Sequence, residues 1–354
     1  MPRPLRATIH LSALRHNLDV ARRHAAHSHI LAVIKANGYG HGMLRVARAL
    51  AAADGFAVLT VQEAIALREA GFTQEILLLE GFFTPDELPL LVQHRLSSVV
   101  HAQWQLDALL HFPSAVNIPL WLKTNSGMNR LGFQPDTFPA TLASLRQAGA
   151  KLTLMTHFAR ADENDGIAAQ LSRFNTLTQH AKLPRSMANS AALLCCPETH
   201  ADWVRPGIML YGASPLPEQS AAQLGLQPAM TLGSELIALR NIKAGDEVGY
   251  GGTFKAPCDM RIGVVACGYA DGYPRHAPSG TPVLVNGLRS RVVGRVSMDM
   301  LTVDLSNIPD ANIGAPVTLW GQGLPVEEVA AAAGTISYEL LCAVAQRVPM
   351  VEAE

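Results

Sequence analysis

The sequence predicts a closed (β/α)8 barrel, residues 1–227, followed by a mostly antiparallel β domain, residues 228–354. Between Ile30 and Val204, eight short apolar runs alternate with helical patterns, and this alternation indicates parallel strands with helices outside them. No glycine-rich dinucleotide fingerprint follows the first run, which disfavours an open nucleotide-binding sheet. After about Gln227 the runs become short and rich in valine, glycine and turn residues, which indicates a change of domain.

The composition is that of a globular chain with a large core and little net charge. The 354 residues are 49% hydrophobic and 16% charged, and the formal net charge is -1. This balance gives no reason to expect nucleic acid or an anionic membrane as a partner. The N-terminus lacks the apolar run of a signal peptide and no stretch is suited to cross a bilayer, so we expect a soluble cytoplasmic protein. The five cysteines and the scattered histidines match neither a disulfide framework nor a metal site, and we expect none.

The first elements are a strand, a helix and the first strand of the barrel. Residues 7–11 alternate as a strand does, and this first strand, about residues 6–11, can pair with the β domain instead of the barrel. Ser12 is predicted to cap the next helix. Residues 30–35 then form the first barrel strand, with Lys35 as its last residue.

The remaining barrel elements repeat strand and helix. Thr60 and Glu63 form a capping box, and Thr84 followed by Pro85 marks another helix start. Further strands are predicted at residues 56–59, 75–79, 96–100, 118–123, 151–156, 185–188 and 203–204, and further helices near residues 44–52, 104–110, 138–148, 167–181 and 191–195.

The β domain is predicted from short valine-rich runs at residues 234–239, 261–266, 282–285 and 301–305. Asn286-Gly287 indicates a tight hairpin between the third run and residues 289–293. Two late helical patterns, near residues 325–333 and 338–346, complete this half.

Lys35 stands at the point where a buried strand meets a glycine-rich turn, residues 36–42. A barrel carries its chemistry at the carboxyl ends of its strands. A lysine in an enclosed site has a lowered pKa and serves as a nucleophile or imine former. The structural alternative is a lysine that ends the strand and points into solvent, which is common at strand ends.

Other polar residues follow later strands and are therefore expected on the same rim. Taken singly, His157 could be a structural histidine, Arg130 a solvated loop residue and Ser190 a helix cap. Together, a lysine, several hydrogen-bond donors and helix N-termini suit a phosphorylated carbonyl cofactor. The rim set is Lys35, Tyr39, Lys123, Arg130, His157, Asn189, Ser190, Arg205 and Gly207.

Nine short motifs closely resemble those of the bacterial alanine racemases, enzymes that depend on pyridoxal 5'-phosphate. The resemblance extends over nearly the whole chain and is greatest to the enterobacterial type used in alanine catabolism. The motifs are VIKANGYGHG at 33–42, GMNRLG at 127–132, THFA at 156–159, ANSA at 188–191, WVRPGI at 203–208, VGYGG at 248–252, GYADGY at 268–273, SMDM at 297–300 and SYEL at 337–340.

The resemblance implies a racemase that interconverts L- and D-alanine with two acid/base residues. Lys35 would hold pyridoxal phosphate as an internal aldimine and act on one face, while Tyr250 of a second subunit would act on the other. This arrangement implies a homodimer with shared active sites.

The resemblance also implies roles for the residues around the cofactor and the substrate. Arg205 would face the pyridine nitrogen, supported by His157. Arg130 would contact the cofactor's phenolic oxygen and the substrate carboxylate. Met298 would donate its backbone N–H to that carboxylate, and Tyr269 would line the entrance. The phosphate would be held by Tyr39, Ser190, Gly207, Ile208 and Tyr338, and Asn189 would also belong to the cofactor-binding residues.

The chain departs from the family at Asn125-Ser126, where many relatives have an aspartate-threonine pair. In many relatives the lysine that matches Lys123 is carbamylated and orients the arginine that matches Arg130. The less acidic surroundings in this chain argue against that modification.

Three other functions compete with alanine racemisation. A racemase of broader range, acting on serine or lysine, depends on pocket contacts that the sequence does not reveal. A decarboxylase on the same plan is disfavoured because its phosphate loop and partner cysteine are missing. A non-catalytic pyridoxal-phosphate carrier is disfavoured by the full β domain with Tyr250. The sequence leaves open whether D-alanine is made for peptidoglycan or consumed.

Overall fold

The computed structural model describes residues 3–163 and 166–354 and contains the predicted barrel. Eight parallel strands close on themselves, because the first pairs with the last as well as with the second. Each strand is nearly or wholly buried, as expected for strands covered by helices outside and by side chains inside. The barrel strands are β2 (His29–Val33), β3 (Gly55–Val58), β4 (Glu75–Leu78), β5 (Ser97–Val100), β6 (Leu120–Lys123), β7 (Leu152–Met155), β8 (Arg185–Ser186) and β9 (Trp203–Val204).

The helices of this half lie between the strands, as the alternation predicts. The Thr60–Glu63 capping box is present, with both reciprocal hydrogen bonds. The predicted Ser12 cap is wrong, because Ser12 lies inside its helix, which His10 precedes without a side-chain cap. The structural alternative for Ser190, a helix cap, does not hold either, since Ser190 is the first helical residue after the cap, Asn189. The helices are α1 (Leu11–His24), α2 (Lys35–Tyr39), α3 (Met43–Ala49), α4 (Val61–Glu69), α5 (Leu88–Gln93), α6 (Gln103–His111), α7 (Phe138–Gln147), α8 (Ala168–Thr178) and α9 (Ser190–Cys195).

The first barrel strand ends earlier than predicted. β2 stops at Val33, and Lys35 is the first residue of α2 rather than the last residue of the strand. The physical reason is the backbone of the next residues, since Ala36, Asn37 and Gly38 all have positive φ. An extended strand cannot continue into left-handed backbone.

The C-terminal half is the predicted β domain, and its main sheet is mostly antiparallel. The Asn286-Gly287 turn joins β14 and β15 with both turn residues at positive φ, as the hairpin prediction requires. The prediction omits β11, β12, β17 and β18. The strands are β10 (Met230–Ile242), β11 (Glu247–Val248), β12 (Phe254–Lys255), β13 (Met260–Val265), β14 (Pro282–Val285), β15 (Leu288–Arg291), β16 (Leu301–Asp304), β17 (Pro316–Trp320) and β18 (Met350–Ala353).

The two halves are joined by their first and last strands. β1 (Arg6–His10) precedes the barrel in sequence but lies in the C-terminal sheet, antiparallel to β10 and parallel to β18. The late helices α10 (Val326–Ala333) and α11 (Ser337–Ala343) follow the C-terminal strands. Contacts between α11 and α2 bring the second half against the turn that carries Lys35. No helix among the described residues is both long and apolar enough to cross a membrane.

Candidate active site

A cavity of about 630 Å³ opens at the carboxyl ends of the barrel strands. Most of its walls come from residues at the ends of β2, β3, β4, β6, β7, β8 and β9 or in the loops after them, which is the expected place for chemistry in this fold, and α11 contributes the rest. Eleven of the residues singled out from the sequence lie along it: Lys35, Tyr39, Lys123, Arg130, His157, Asn189, Ser190, Arg205, Gly207, Ile208 and Tyr338.

Lys35 is presented by a turn of left-handed backbone. The non-glycine residues Ala36, Asn37 and Tyr39 have φ of 53°, 53° and 49°, a region that side chains with a Cβ rarely occupy. Such strain persists only where the surroundings enforce it. At Gly40 the enforcement is direct, because a Cβ built there would lie 2.1 Å from the Leu341 carbonyl oxygen.

Side-chain hydrogen bonds hold the turn in this shape. The Asn37 Oδ1 accepts the backbone N–H of Met43 at 2.9 Å. The Nδ1 of buried His41 lies 2.8 Å from the Tyr39 carbonyl oxygen and 3.1 Å from that of Gly38, so it donates to these carbonyls. The turn is therefore tied to α3 on one side and to the protein interior on the other.

Three aromatic rings lie beneath this turn. Tyr39 stacks on Tyr211 with ring centroids 4.5 Å apart, and His41 lies 4.8 Å from the same ring. The Tyr211 hydroxyl donates to the Val33 carbonyl oxygen at 2.9 Å, which ties the stack to β2. Burial raises the pKa of Tyr39, so its hydroxyl remains a hydrogen-bond donor at neutral pH.

Ser190 and Gly207 form a compact polar corner of the cavity. The Ser190 Oγ accepts the Gly207 N–H at 2.8 Å, and the Asn189 side chain caps α9 by accepting the Ala192 N–H at 3.1 Å. A Cβ built on Gly207 would lie only 2.6 Å from the Tyr39 hydroxyl oxygen. Space next to that hydroxyl exists because residue 207 has no side chain.

Arg205 is a buried guanidinium, 3% exposed, with no carboxylate partner within the described residues. It donates to Ser186 Oγ and to the carbonyl oxygens of Thr156 (2.7 Å) and Met187 (3.1 Å). Burial lowers the pKa of Arg205 to about 9, so it is still protonated at neutral pH. Burial, and next the charge of Arg205, holds the pKa of His157 well below its usual value, and His157 is therefore neutral.

The cavity carries an excess of basic groups. Burial, and then the charges of Arg205 and Arg130, lower the pKa of Lys123 to about 8. Glu80 supplies the one carboxylate among the lining residues described. Such a cavity favours an anionic ligand, because each cation gains by its approach. The cationic residues are Lys35, Lys123, Arg130 and Arg205.

These residues fit a phosphorylated pyridine cofactor. A phosphate needs several N–H and O–H donors in a confined space, and the corner around Ser190, Gly207 and Tyr39 provides that combination. A carbonyl group needs an amine, which Lys35 supplies in the same cavity. The guanidinium of Arg205 offers a fixed donor for a ring nitrogen.

Three residues singled out from the sequence do not lie along this cavity. Tyr250, Tyr269 and Met298 belong to the C-terminal half and are not among the lining residues described. Tyr250 is 71% exposed and Met298 is 53% exposed, which is unusual for side chains of this size. A single chain does not bring them to its own Lys35 cavity.

Among the lining residues with ionisable side chains, the prediction missed two, Glu80 and Cys342. Glu80 follows β4 by two positions, so the strand-end rule that found the other residues applied to it as well. Cys342 lies four residues after Tyr338 on α11, a spacing that places both on one helix face. Lys123, which was noted at the end of its strand, lines the cavity too.

The comparisons with known proteins agree on one family. The family description "Alanine racemase, N-terminal domain" matches residues 9–215, and "Alanine racemase, C-terminal domain" matches residues 229–352. An alanine racemase of Nitrosospira multiformis is 59% identical over 356 residues, covering 99% of this chain and 100% of the relative. A catabolic alanine racemase of Klebsiella aerogenes is 54% identical, with 99% of both chains covered.

Solved structures of the family share the whole fold. The biosynthetic alanine racemase of Pseudomonas aeruginosa superposes with a TM-score of 0.96 at 50% identity, covering 99% of this chain and 100% of that one. The alanine racemase of Enterococcus faecalis has a TM-score of 0.89 at 34% identity, covering 99% and 98%. Sequence motifs, fold and full-length relatives therefore agree, and the chain belongs to the alanine racemase family.

Proposed function

We propose that this chain interconverts L-alanine and D-alanine with pyridoxal 5'-phosphate, in active sites shared between two copies of the chain. The observation that carries the proposal is the placement of Lys35 in a cavity rich in basic groups, at the carboxyl ends of the barrel strands of an alanine racemase fold. In this proposal residues 1–227 hold the cofactor, and residues 228–354 supply the second acid/base residue.

The cofactor would be held by two groups of barrel residues and by one residue of α11. Lys35 would carry it covalently, and His157 and Arg205 would lie at its ring. When bound, pyridoxal phosphate supplies an electron-withdrawing ring that acidifies the α C–H of the amino acid attached to it. The phosphate would be bound by Tyr39, Asn189, Ser190, Gly207, Ile208 and Tyr338.

Arg205 supports racemisation over competing reactions. Its carbonyl and hydroxyl contacts fix the guanidinium in place, and at neutral pH it keeps its proton. An arginine beside the ring nitrogen therefore donates a hydrogen bond without protonating that nitrogen. This limits how strongly negative charge is drawn into the ring, and it favours return of the proton to the α-carbon.

Two groups on opposite faces are sufficient for racemisation, because one removes the α-proton and the other returns a proton from the far side. Lys35 would act on one face. Tyr250 of the second copy would act on the other, and its high exposure in a single chain supports a role completed by a partner. Arg130 and Met298 would orient the substrate carboxylate, and Tyr269 would line the entrance.

The exposed surface of the chain supports a homodimer. Large apolar side chains are exposed on the C-terminal half and on α11, and a second copy would cover them. The group includes residues proposed for the active site, so the same contact with a second copy would cover these side chains and complete the site. Its members are Tyr250, Tyr269, Met298, Met300, Ile336 and Tyr338.

The first test is covalent attachment. Purified protein loaded with pyridoxal phosphate and reduced with borohydride should carry the cofactor on the peptide that contains Lys35, as read by mass spectrometry. The Lys35→Ala variant should lose this label and racemase activity, while Lys151→Ala, at an exposed lysine, should keep both. Label on another lysine in the wild-type protein would contradict the attachment site.

The second test is the direction of proton transfer. Tyr250→Phe should retain bound cofactor and impair proton exchange at the α-carbon of one enantiomer more than the other, followed in deuterated water from L- and from D-alanine. Equal, undiminished exchange from both enantiomers would remove Tyr250 from the mechanism. Parallel assays with serine and lysine define the substrate range.

A further inference from the structure

Two loops of the C-terminal half, residues 268–272 and 297–300, pack directly on each other. The first carries Tyr269 and the second carries Met298. The Tyr269 N–H donates to the Ser297 carbonyl oxygen at 3.0 Å, and the next N–H along the chain donates to the Met298 carbonyl oxygen at 3.0 Å. The backbones that carry these two side chains are therefore positioned as one unit.

Asp271 holds this unit from inside. Its side chain has no exposure to solvent, yet its carboxylate accepts four hydrogen bonds. Arg3 donates two of them, at 2.6 and 2.7 Å, in a bidentate pair. Arg347 Nε donates the third at 2.8 Å, and the Gly268 N–H donates the fourth at 2.9 Å. A buried carboxylate is stabilised only by such a full set of donors.

The same two arginines reach the second loop. Arg3 donates to the Asp299 carbonyl oxygen at 2.7 Å, and Arg347 donates to the Asp299 carboxylate at 2.5 Å. Each arginine therefore bridges Asp271 in one loop to Asp299 in the other. We call this group of four charged residues the Asp271 cluster.

The arginines of the cluster come from opposite ends of the chain. Arg3 precedes β1 and Arg347 precedes β18, and these strands are paired side by side in the sheet. The Asp271 carbonyl oxygen also accepts the Ala345 N–H at 3.0 Å. The loops are thus attached to the strands that join the two halves of the chain, rather than only to their own hairpins.

The hydrogen bonds of the cluster favour the ionised form of Asp271. Burial acts to raise the pKa of Asp271, but the hydrogen bonds from Arg3, Arg347 and the Gly268 N–H outweigh it, and the pKa lies below its usual value. Two guanidinium groups then face two carboxylates. None of these four residues lines the Lys35 cavity of its own chain.

We propose that Asp271 is a positioning residue for the active site of the second copy, because its cluster fixes the two loops that present Tyr269 and Met298. The inference rests on the proposed function, in which those side chains complete the partner's site. Asp271 touches neither substrate nor cofactor. It acts by fixing where the carboxylate-binding and entrance groups stand relative to the partner's Lys35.

Asp271→Asn keeps the size of the side chain and removes its charge. One of its two terminal atoms becomes an N–H donor that faces arginine donors, so part of the cluster opens. We expect the content of bound pyridoxal phosphate to stay unchanged, because none of the proposed cofactor residues belongs to the two loops or to the Asp271 cluster. We expect kcat/KM for alanine to fall on the order of tenfold to a hundredfold, the range for small misplacements of positioning groups.

Heterodimers made from differently tagged protomers test whether the effect crosses the interface. When Lys35→Ala and Asp271→Asn lie on different protomers, the remaining Lys35 meets an unaltered Asp271 cluster, and about half the wild-type activity is expected. When both substitutions lie on one protomer, the remaining Lys35 meets the altered cluster, and activity is expected to be low. Equal activities of the two heterodimers would overturn the proposal.

Two controls keep the outcome interpretable. When Tyr250→Phe replaces Asp271→Asn, the two heterodimers should differ in activity in the same direction. If they do not, the proposal that the active site is shared between two copies is wrong, rather than the role of Asp271. Asp259→Asn, at an exposed carboxylate paired with Lys243, should leave both arrangements equal and active. Should Asp271→Asn fail to fold, Arg3→Gln removes only the donors of a partly exposed arginine and is tested in the same two arrangements.

Discussion

His41 is a wholly buried residue of the turn that follows Lys35. We predict that its protonation lowers the free energy of unfolding of the protein in acid. Its Nδ1 donates to backbone carbonyls of the turn, so its Nε2 is the unprotonated nitrogen, and this atom has no hydrogen-bond partner among the described residues. A proton added there would be a buried charge on an unpaired N–H. Burial, only partly opposed by the carbonyls of Tyr39 and Gly38, lowers the pKa of His41 to about 4.

The sign and size of the effect follow from the two pKa values. Unfolded His41 takes up a proton as the pH falls through 6.5, whereas folded His41 does so only near 4, so the unfolded state binds more protons between these values. The contribution is fully present above pH 6.5 and is lost as the pH falls towards 4. Because one unit of pKa is worth about 1.4 kcal/mol, the loss is about 3 kcal/mol.

The assay is chemical denaturation at a series of pH values, at one fixed protein concentration because the stability of the proposed dimer would depend on it. His41→Asn keeps a donor near the position of Nδ1 and removes the titrating group. The free energy of unfolding of the wild type should fall by about 3 kcal/mol more than that of His41→Asn between pH 7 and pH 4. Parallel curves for the two proteins would refute the reasoning, because His41 would then titrate alike in both states.

Three further outcomes follow from the same site. Gly207→Ala should weaken binding of pyridoxal phosphate on the order of tenfold, measured by titration of the apoenzyme, because its Cβ would press on the Tyr39 hydroxyl. Gly40→Ala should lower the free energy of unfolding by about 2 kcal/mol or more, since its Cβ would meet the Leu341 carbonyl oxygen at positive φ, and an unchanged denaturation midpoint would contradict this. The rate at which Lys123 of the apoenzyme reacts with a small acylating reagent should rise with pH through a midpoint near 8, because burial and nearby cations lower its pKa. Peptide mass spectrometry measures this rate, and a midpoint near 10 would show an ordinary exposed amine.

Local patterns in the sequence were sufficient for the barrel and for one hairpin. The alternation of apolar runs and helical patterns depends on residues near one another in the chain, and so does the Asn286-Gly287 turn. Once the strands are parallel, their carboxyl ends meet on one rim by geometry. Eleven residues named from the sequence therefore lie along one cavity, although their roles remain predictions for the experiments above.

Other features depended on contacts that no local pattern encodes. The sequence predicts Lys35 as the last residue of a strand, but Lys35 begins a left-handed turn whose positive φ angles are held by α11 and by the interior around His41. That conformation is unfavourable for the isolated segment and exists because distant residues enforce it.

The sequence by itself determined the fold class, the family and the position of the basic cavity, since each depends on repeating local periods or on short motifs. Only the tertiary structure decided that β1 joins the C-terminal sheet between β10 and β18. It alone brought Arg3 and Arg347 to the buried Asp271. The physical reason is that burying a charge or pairing a strand is favourable only when its partners are in place, and these partners lie 268 and 76 residues away in the chain.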